Sequence, residues 1–235
     1  MISIVIPTLN EVTNINATIQ HTLSVADRPE ALEIIVVDAG SMDGTLDQIK
    51  NKEAKVYCMP EFAMRKYDSL NYGLNHSTGE IVMFLDADTL LPQNFDLAIY
   101  RELSNSKVVG GAFEFSFHQP DWKLSLLTII NRIRYRLDKA YYGDQAIFAR
   151  RSTLLAIGGV PKQPLMEAAY LSKALRKLGR LSLINPGIVT SPRRFDDLGF
   201  YKVAWFDTNM FIRFNLGLPV SRYADKYWSK NLNPK

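Results

Sequence analysis

The sequence has few of the residues that form disulfides or cysteine-and-histidine metal sites. Its 235 residues include one cysteine, Cys58, and three scattered histidines, His21, His76 and His118. A single cysteine excludes an internal disulfide and a thiolate metal cluster, and it fits a reducing compartment. We therefore interpret Cys58 as a buried structural thiol, and the histidines as surface or core residues rather than metal ligands.

Long apolar runs and glycine-rich phosphate loops are also missing. No run reaches the roughly 18 apolar residues that a membrane-spanning helix needs. The N-terminal stretch MISIVIPTLNE lacks a basic region and a cleavage site, so we expect a first strand, not a signal peptide, and a cytoplasmic protein. No G-x-G-x-x-G follows that strand and no G-x-x-x-x-G-K-[ST] occurs, which argues against dinucleotide binding and P-loop chemistry.

The bulk composition is that of an ordinary globular chain. Hydrophobic residues make up 47% and charged residues 22% of the sequence, which is long enough for one large core. The net charge of +4 suits an anionic ligand or an acidic membrane surface, and it serves solubility equally well. We expect one domain and no nucleic-acid partner.

Short apolar runs alternate with helical patterns along the first part of the chain. Strands are predicted at 2–6, 33–37, 55–59, 81–85, 107–117 and 145–150. Helices are predicted at 14–26, after Asp43 or Thr45, and at 64–76, 121–137, 164–179 and 198–217. The alternation of strands and helices predicts an α/β fold with a mostly parallel central sheet flanked by helices.

Two carboxylates follow the apolar run IVMFL. Asp86 and Asp88 flank Ala87, and in an extended chain residues two apart point the same way. Like charges that converge repel unless a cation lies between them or one is protonated. Oxygen ligands suit Mg²⁺ and Mn²⁺, so the pair predicts a divalent ion shared with a diphosphate. The alternative is that both aspartates are solvated turn residues, or that Asp88 caps the next segment.

Polar residues also follow the first two predicted strands, at the edge where ligands bind in open α/β sheets. Asp38 is a good turn former, and it could equally accept hydrogen bonds from a nucleobase or a ribose. Small residues after it, including Ala39 and Gly40, would let a ligand approach the backbone.

Four segments in this order resemble a known family: SIVIPTLNE, IIVVDAGSMDGT, LNYGLNHSTGEIVMFLDADTLLP and GDQAIFARRSTLLAIGGVP. Together they resemble the family 2 glycosyltransferases, and the later half is similar to a bacterial branch often labelled selenodomain-associated glycosyltransferases. The resemblance covers residues 1 to about 220. It implies the GT-A fold, the Rossmann-like nucleotide-diphospho-sugar transferase fold, in a single domain 1–235. Residues 1–92 would bind the nucleotide-sugar, 93–220 would form the acceptor side, and 221–235 would be a C-terminal tail.

The resemblance also implies an activity and a set of residues. The activity is transfer of a sugar from a UDP- or GDP-sugar, with inversion, assisted by Mn²⁺ or Mg²⁺ on Asp86 and Asp88. The implied nucleotide-sugar site comprises Pro7, Thr8, Asn10, Glu11, Asp38, Ala39, Gly40, Arg65 or Lys66, Asn71, Asp86, Ala87 and Asp88. The simpler alternative for Arg65 and Lys66 is a solvated helix start.

Groups for the chemistry follow from the same resemblance. Arg193 and Arg194 could stabilise the departing diphosphate, since guanidinium matches phosphate geometry, although either could form a surface salt bridge instead. Asp144 and Gln145 are expected on the acceptor side. The family's usual Glu-Asp pair is Glu167-Ala168 here, so the general base is Glu167 or Asp144, or the chain is impaired. In the impaired case it would bind a nucleotide-sugar with little turnover. A nucleotidyltransferase is less consistent, because PTLNEVTN lacks glycine and basic residues.

Aromatic and basic residues are concentrated in two segments, 195–214 and 121–136, which overlap the predicted helices at 198–217 and 121–137. The simpler interpretation is that the aromatic side chains pack on the core. The alternative is that the helices lie on a bilayer surface, at the inner face of the membrane, where a lipid-linked acceptor would be found. The sequence does not identify the acceptor or the oligomeric state.

Overall fold

The computed structural model describes residues 1–59, 65–138, 140–224 and 227, and it has one central sheet. The first residue of the helix predicted at 64–76 therefore lies outside the described residues, and so does most of the predicted tail, 221–235. The strands are β1 (Ile2–Thr8), β2 (Leu32–Asp38), β3 (Lys55–Cys58), β4 (Ile81–Phe84), β5 (Thr89–Leu90), β6 (Val108–Phe117), β7 (Phe148–Arg150) and β8 (Arg180–Thr190).

The strands form one sheet in the order β3-β2-β1-β4-β7-β6-β8-β5. The first four pair in parallel, with Ile4 opposite Ile34 on one side and Met83 on the other. β7 pairs antiparallel with β4 and β6, β8 is parallel to β6, and β5 is antiparallel to β8. β1 and β4 are buried throughout except at Pro7, which is why they consist of continuous apolar runs.

Helices connect the strands and cover the sheet. They are α1 (Ile15–Val25), α2 (Lys66–His76), α3 (Phe95–Leu103), α4 (Trp122–Asp138), α5 (Arg151–Ala156), α6 (Glu167–Leu175), α7 (Arg193–Leu198) and α8 (Phe200–Asn215). α1 buries Ile15, Ile19 and Thr22 at helical spacing, as the sequence pattern predicts. The mostly parallel α/β sheet flanked by helices confirms the predicted fold class.

Several local predictions need correction. β5, β8, α3 and α5 have no counterpart in the sequence prediction, and the helix expected after Thr45 is only a short 3₁₀ turn, Leu46–Gln48. The strand predicted at 145–150 starts at Phe148, because Gly143–Gln145 form another 3₁₀ turn. Cys58 is exposed rather than buried, since β3 is the edge strand of the sheet.

A buried acid marks the amino-terminal end of the parallel strands. Glu33 follows the first residue of β2 and is 8% exposed. Its carboxylate accepts hydrogen bonds from the Ser3 hydroxyl, from the Thr78 amide at 2.8 Å and hydroxyl at 2.9 Å, and from Lys55 Nζ at 2.6 Å. Burial raises the pKa of Glu33, but the hydrogen bonds from Lys55, Ser3 and Thr78 outweigh it and lower the pKa to about 2. The folded chain alone therefore satisfies this acid.

The two aromatic and basic helices bury one face each. α8 buries Val203, Met210 and Phe214, while Tyr201 and Trp205 are 73% and 74% exposed. In the described parts of the chain, no helix combines the length and the apolar character needed to cross a bilayer.

Candidate active site

Hydrogen bonds join the loops that follow β1 and β2. Asn10 has a left-handed backbone, φ 54°, which asparagine tolerates better than most residues. Its side-chain oxygen accepts a hydrogen bond from the Met42 amide at 3.0 Å, and its own amide donates to the Ser41 hydroxyl at 2.8 Å. The Glu11 amide donates to Thr45 Oγ1 at 2.8 Å. These contacts fix the rim of the sheet on the β1 and β2 side.

Asp38 ends β2 and closes the turn after it. The side chain is 2% exposed, and its Oδ2 accepts hydrogen bonds from the amides of Gly40 at 3.0 Å and Ser41 at 2.9 Å. The Ser41 hydroxyl binds Oδ1. Most of the accepting capacity of Asp38 is thus used within its own turn, which favours the turn-former interpretation. Contact with a base or ribose stays a prediction.

Asp86 and Asp88 follow β4, at the same rim of the sheet. Lys66, the first residue of α2, places its Nζ 2.6 Å from Asp86 Oδ1. Burial lowers the pKa of Lys66, but Asp86 and Glu167 raise it more, and the net shift is upward. Lys66 is therefore a fixed positive charge at the rim. About a quarter of the Lys66 side chain and a quarter of the Asp86 side chain are exposed.

Arg193 connects the rim to the far end of the chain. Its Nη2 lies 2.6 Å from Glu11 Oε1 and its Nη1 lies 3.1 Å from Glu11 Oε2, a two-point contact. The same Nη2 lies 3.6 Å from Asp88 Oδ2, beyond hydrogen-bond distance. Arg193 thus binds Glu11 tightly and Asp88 loosely.

Asp88 is the least satisfied acid of the rim. Burial raises its pKa, the charges of Asp86 and Glu11 raise it further, and Arg193 and Lys66 offset only part of this, so the pKa is about 6. Among the described residues, no side chain or amide lies within hydrogen-bond distance of its carboxylate. Asp88 has negative charge that its protein partners do not neutralise.

Glu167 lies on the other side of Lys66, in the first turn of α6. It is 7% exposed. Glu167 lines a small pocket together with Lys66, Asp86, Gly143 and Ala168. A methyl group on Gly143 would lie 3.0 Å from Lys66 Nζ and 3.7 Å from Glu167 Oε1, so glycine leaves the space that both side chains use. Burial raises the pKa of Glu167, and Lys66 partly opposes this.

Asp144 is a half-buried acid next to Gly143, which lines this pocket. Burial and the charge of Asp86 raise its pKa to about 6, and Lys66 partly opposes the shift. Its Oδ1 is shielded from solvent and has no hydrogen-bond partner in the described part of the chain. An unpaired buried oxygen of this kind is costly, so Asp144 remains a candidate to contact a ligand.

A divalent ion fits the chemistry of the rim. Asp86 and Asp88 offer hard oxygen ligands, and the raised pKa of Asp88 reflects negative charge that a cation would relieve. In the described parts of the chain no three acidic, histidine or cysteine side chains are gathered as a complete metal site. The two aspartates suit an ion such as Mg²⁺ or Mn²⁺ that takes its remaining ligands from a diphosphate and water.

Other predicted site residues lie elsewhere or serve the scaffold. Asn71 is not brought to the acidic rim: its Nδ2 donates to the Val160 carbonyl, and its Oδ1 accepts from the Val160 amide, both at 2.8 Å. Gln145 is fully buried and bridges the Tyr142 amide and the Phe113 carbonyl. The side-chain amide of Gln145 thus holds the 143–145 turn, and the expectation that Gln145 faces an acceptor stays a prediction.

The remaining predicted residues are two arginines and a set of residues at strand ends. Arg194 forms a two-point ion pair with Asp207 at 2.9 and 3.2 Å, the salt-bridge alternative, and does not contact the acids of the rim. Arg65 is the N-cap of α2, next to Lys66. Five further predicted residues lie at or just after the ends of β1, β2 and β4: Pro7, Thr8, Ala39, Gly40 and Ala87. Gly143 lines the pocket but was not predicted as a site residue, and its only sequence signal is its place beside Asp144 in the GDQ motif.

Residues 3–155 match the model of the family described as Glycosyl transferase family 2. That match spans well over half of the chain. The chain belongs to glycosyl transferase family 2. The family match ends before Glu167 and Arg193, so these two residues of this glycosyltransferase lie outside the matched segment.

Characterised relatives match parts of the glycosyltransferase. It is 31% identical over 123 residues to glycosyltransferase AglE of Haloferax volcanii, covering 49% of the chain and 40% of AglE. It is also 31% identical over 122 residues to the poly(ribitol-phosphate) beta-N-acetylglucosaminyltransferase TarP of Staphylococcus aureus, covering 48% of the chain and 36% of TarP. The matches thus span about two fifths or less of either relative.

Solved structures confirm the GT-A fold. S. aureus TarS, residues 1–349, superposes with a TM-score of 0.65 at 18% identity, covering 83% of this chain and 61% of that one. The mannosyltransferase PcManGT from Pyrobaculum calidifontis, solved with GDP-Man and Mn²⁺, superposes with a TM-score of 0.61 at 25% identity, covering 81% and 56%.

Proposed function

We propose that this glycosyltransferase moves a sugar from a nucleotide diphosphate-sugar to an acceptor hydroxyl, with inversion at the anomeric carbon. The observation that carries the proposal is the convergence of Asp86, Asp88, Lys66 and Arg193 at the carboxyl ends of the parallel strands. Opposite charges are gathered there at a rim where α/β sheets bind nucleotides.

The donor is proposed to be a UDP- or GDP-sugar. PcManGT, similar in fold and 25% identical, was solved with GDP-Man and Mn²⁺, and TarS was solved with UDP-GlcNAc. The nucleoside would lie over the loops after β1 and β2, where Asn10 and Asp38 shape the rim. The diphosphate would then reach the acids after β4.

The leaving group is a nucleoside diphosphate, and its departure concentrates negative charge at the rim. Lys66 and Arg193 provide positive charge that the fold already positions, which is the arrangement that stabilises developing charge. A Mn²⁺ or Mg²⁺ ion held by Asp86 and Asp88 would supply further charge neutralisation for the diphosphate.

Glu167 is the proposed general base. It lies beside the pocket that Lys66 and Asp86 line, and its carboxylate would take the proton of the acceptor hydroxyl as that oxygen attacks the anomeric carbon. The bond to the diphosphate oxygen breaks on the opposite face, which inverts the configuration. Lys66 supports this role because its charge counters the effect of burial on the pKa of Glu167.

A second candidate function is nucleotide-sugar binding with little turnover. It rests on Ala168, which lines the same pocket and is 6% exposed, at the position where the family resemblance implies an aspartate. If Glu167 cannot replace that aspartate, the donor would bind without efficient transfer.

One assay separates the two functions. The protein is incubated with UDP- and GDP-sugars and Mn²⁺, and release of the nucleoside diphosphate is measured. Transfer predicts release that Glu167→Gln lowers by about 10²–10⁴-fold, the usual contribution of a general base. Thermal stabilisation by UDP or GDP without any release would favour binding alone.

The control variant is Glu53→Gln, because Glu53 is exposed on a turn far from the acids. It should leave release unchanged. If no donor gives release of the nucleoside diphosphate and no donor stabilises the protein, both proposed functions are overturned.

A further inference from the structure

α4 and α8 lie side by side, and each leaves an apolar stripe uncovered. Lys123 Nζ, near the start of α4, is 5.1 Å from the ring centroid of Tyr201, near the start of α8. Eleven residues further along α4, the Arg134 guanidinium carbon is 4.9 Å from the ring of Phe211. The two contacts are separated by similar lengths on both helices, so the helices run parallel and adjacent.

The α4 stripe follows helical spacing. Its members are exposed by 50 to 71% and recur at intervals of three and four residues. They are Trp122, Leu126, Ile129, Ile130 and Ile133. The opposite side of the helix is buried through Leu124, Thr128 and Tyr135. The exposed stripe is therefore a second apolar face that the core does not use.

α8 repeats the arrangement. Tyr201, Trp205 and Ile212 are 73%, 74% and 49% exposed, and Leu216, just past the helix, is 69% exposed. The two stripes meet at Lys123, whose Nζ lies near the rings of Trp122 at 5.8 Å and Tyr201 at 5.1 Å. Nine of the sixteen large apolar side chains that are exposed in the described residues belong to these stripes. Such a concentration marks a binding surface rather than scattered exposure.

Positive charge is concentrated on the same two helices. α4 and α8 contain six lysines and arginines against two aspartates. The net charge of the whole chain is +4, so the remainder of the chain is neutral overall. Apolar stripes with tryptophan and tyrosine, flanked by basic residues, have the composition of helices that lie in a bilayer interface.

We propose that α4 and α8 dock on the surface of an anionic bilayer, with their exposed stripes in the headgroup region. A second copy of the chain is a poorer occupant, because a symmetric contact through this face would oppose two positively charged surfaces. An anionic bilayer attracts the net positive charge of the two helices. This inference does not depend on the proposed transfer reaction.

Vesicle flotation tests the proposal directly. The full chain should float with vesicles of phosphatidylglycerol and phosphatidylcholine and remain at the bottom with phosphatidylcholine alone. Tryptophan emission should shift to the blue only with the anionic vesicles, as Trp122 and Trp205 leave water. Absence of flotation and of the shift on anionic vesicles overturns the proposal.

Matched variants locate the surface. Ile130→Ser and Leu178→Ser remove side chains of equal exposure, 52% and 51%, from α4 and from the loop after α6. Ile130→Ser should weaken vesicle binding several-fold and Leu178→Ser should not. Lys202→Glu, on α8, should weaken vesicle binding about thirtyfold, because it changes the charge by two units at about 1 kcal/mol each. Lys177→Glu, at an exposed position after α6, should have a much smaller effect.

Circular dichroism and thermal melts confirm that each variant is folded. Equal weakening by the α4 and control variants would overturn the location. Concentration-dependent dimerisation that Ile130→Ser abolishes, without vesicle binding, would assign the face to a second copy and also overturn the proposal.

Discussion

Buried Glu33 and half-buried Asp88 are acids at opposite ends of the parallel strands, and the fold treats them differently. Glu33 accepts four hydrogen bonds, from Ser3, Lys55 and Thr78, and its pKa falls to about 2. Asp88 has Arg193 at 3.6 Å as its nearest cation, and its pKa rises to about 6. Glu33 is the more buried of the two, yet its pKa is the one that falls, so burial alone does not explain the difference.

The difference lies in where each acid finds its partners. The partners of Glu33 come from the folded chain, so its charge stabilises the protein. Asp88 faces Asp86 and Glu11, so its charge destabilises the protein until something cationic joins it. A buried acid that the fold leaves unsatisfied is a candidate for function, and a satisfied one is part of the scaffold.

The largest expected effect is on transfer. Asp88→Asn should lower nucleoside diphosphate release by about 10²–10³-fold, because it removes one of the two carboxylates proposed to hold the divalent ion that would neutralise the diphosphate. The apo protein should be as stable as the parent or more so, since the substitution removes like-charge repulsion. Exposed Asp27→Asn is the matched control. A variant that loses stability along with activity would contradict the comparison.

Glu33→Gln should have the opposite profile. It leaves Lys55 without its partner and breaks a buried network, which we expect to cost about 2–4 kcal/mol of unfolding free energy. Release per folded molecule should stay unchanged. Urea unfolding measures the loss, and exposed Glu30→Gln is the control. An unaltered midpoint would show that the hydrogen bonds of Glu33 contribute little.

The pH dependence of stability should reveal both acids with opposite signs. The raised pKa of Asp88 means that the folded state binds its proton more tightly, so stability of the metal-free protein should rise as the pH falls from about 7 towards 4, where the unfolded state also protonates. The lowered pKa of Glu33 means that its contribution, about 3 kcal/mol, is lost as the pH falls from about 4.5 towards 2.

Urea unfolding at a series of pH values checks this profile. Asp88→Asn should flatten the rise in stability on acidification from about pH 7, and Glu33→Gln should flatten the loss of stability between about pH 4.5 and 2. Asp144, whose pKa is also about 6, contributes to the rise, so Asp88→Asn alone should remove only part of it.

The smallest expected effect concerns Ala168. If Glu167 is the base, Ala168→Asp should change release less than about tenfold, since the pocket already contains its carboxylate. The more conservative Ala168→Ser controls for crowding of the pocket. A large increase with Ala168→Asp would mean that the chain lacks an efficient base and is principally a binder.

Much of the first half of the fold could be predicted from the sequence. β1, β2 and β4 are continuous apolar runs because both faces of the sheet are covered there. β8 escaped prediction because Asn185, Pro186 and Gly187 interrupt its apolar pattern, where the register with β6 is also irregular. β5 has only two residues and gives no periodic signal.

The site was predictable only in part, for a related reason. Asp86 and Asp88 directly follow a strand that the sequence marks, so strand-end reasoning places them at the rim, whereas Lys66 starts a helix and was indicated only by the family resemblance. The contact of Arg193 with Glu11 spans 182 positions, and no local pattern encodes such a separation. Asn71 and Gln145 are held by backbone partners, Val160 for the first and Tyr142 and Phe113 for the second, and residue type alone does not reveal such partners.

Arg193 serves Glu11 and Asp88 through the same nitrogen, and this sharing has a consequence for mutagenesis. Removing Glu11 would free the guanidinium to approach Asp88 more closely, whereas removing Asp88 would strengthen its hold on Glu11. Substitutions at these three positions should therefore be non-additive, and only a double-mutant cycle can apportion their energies.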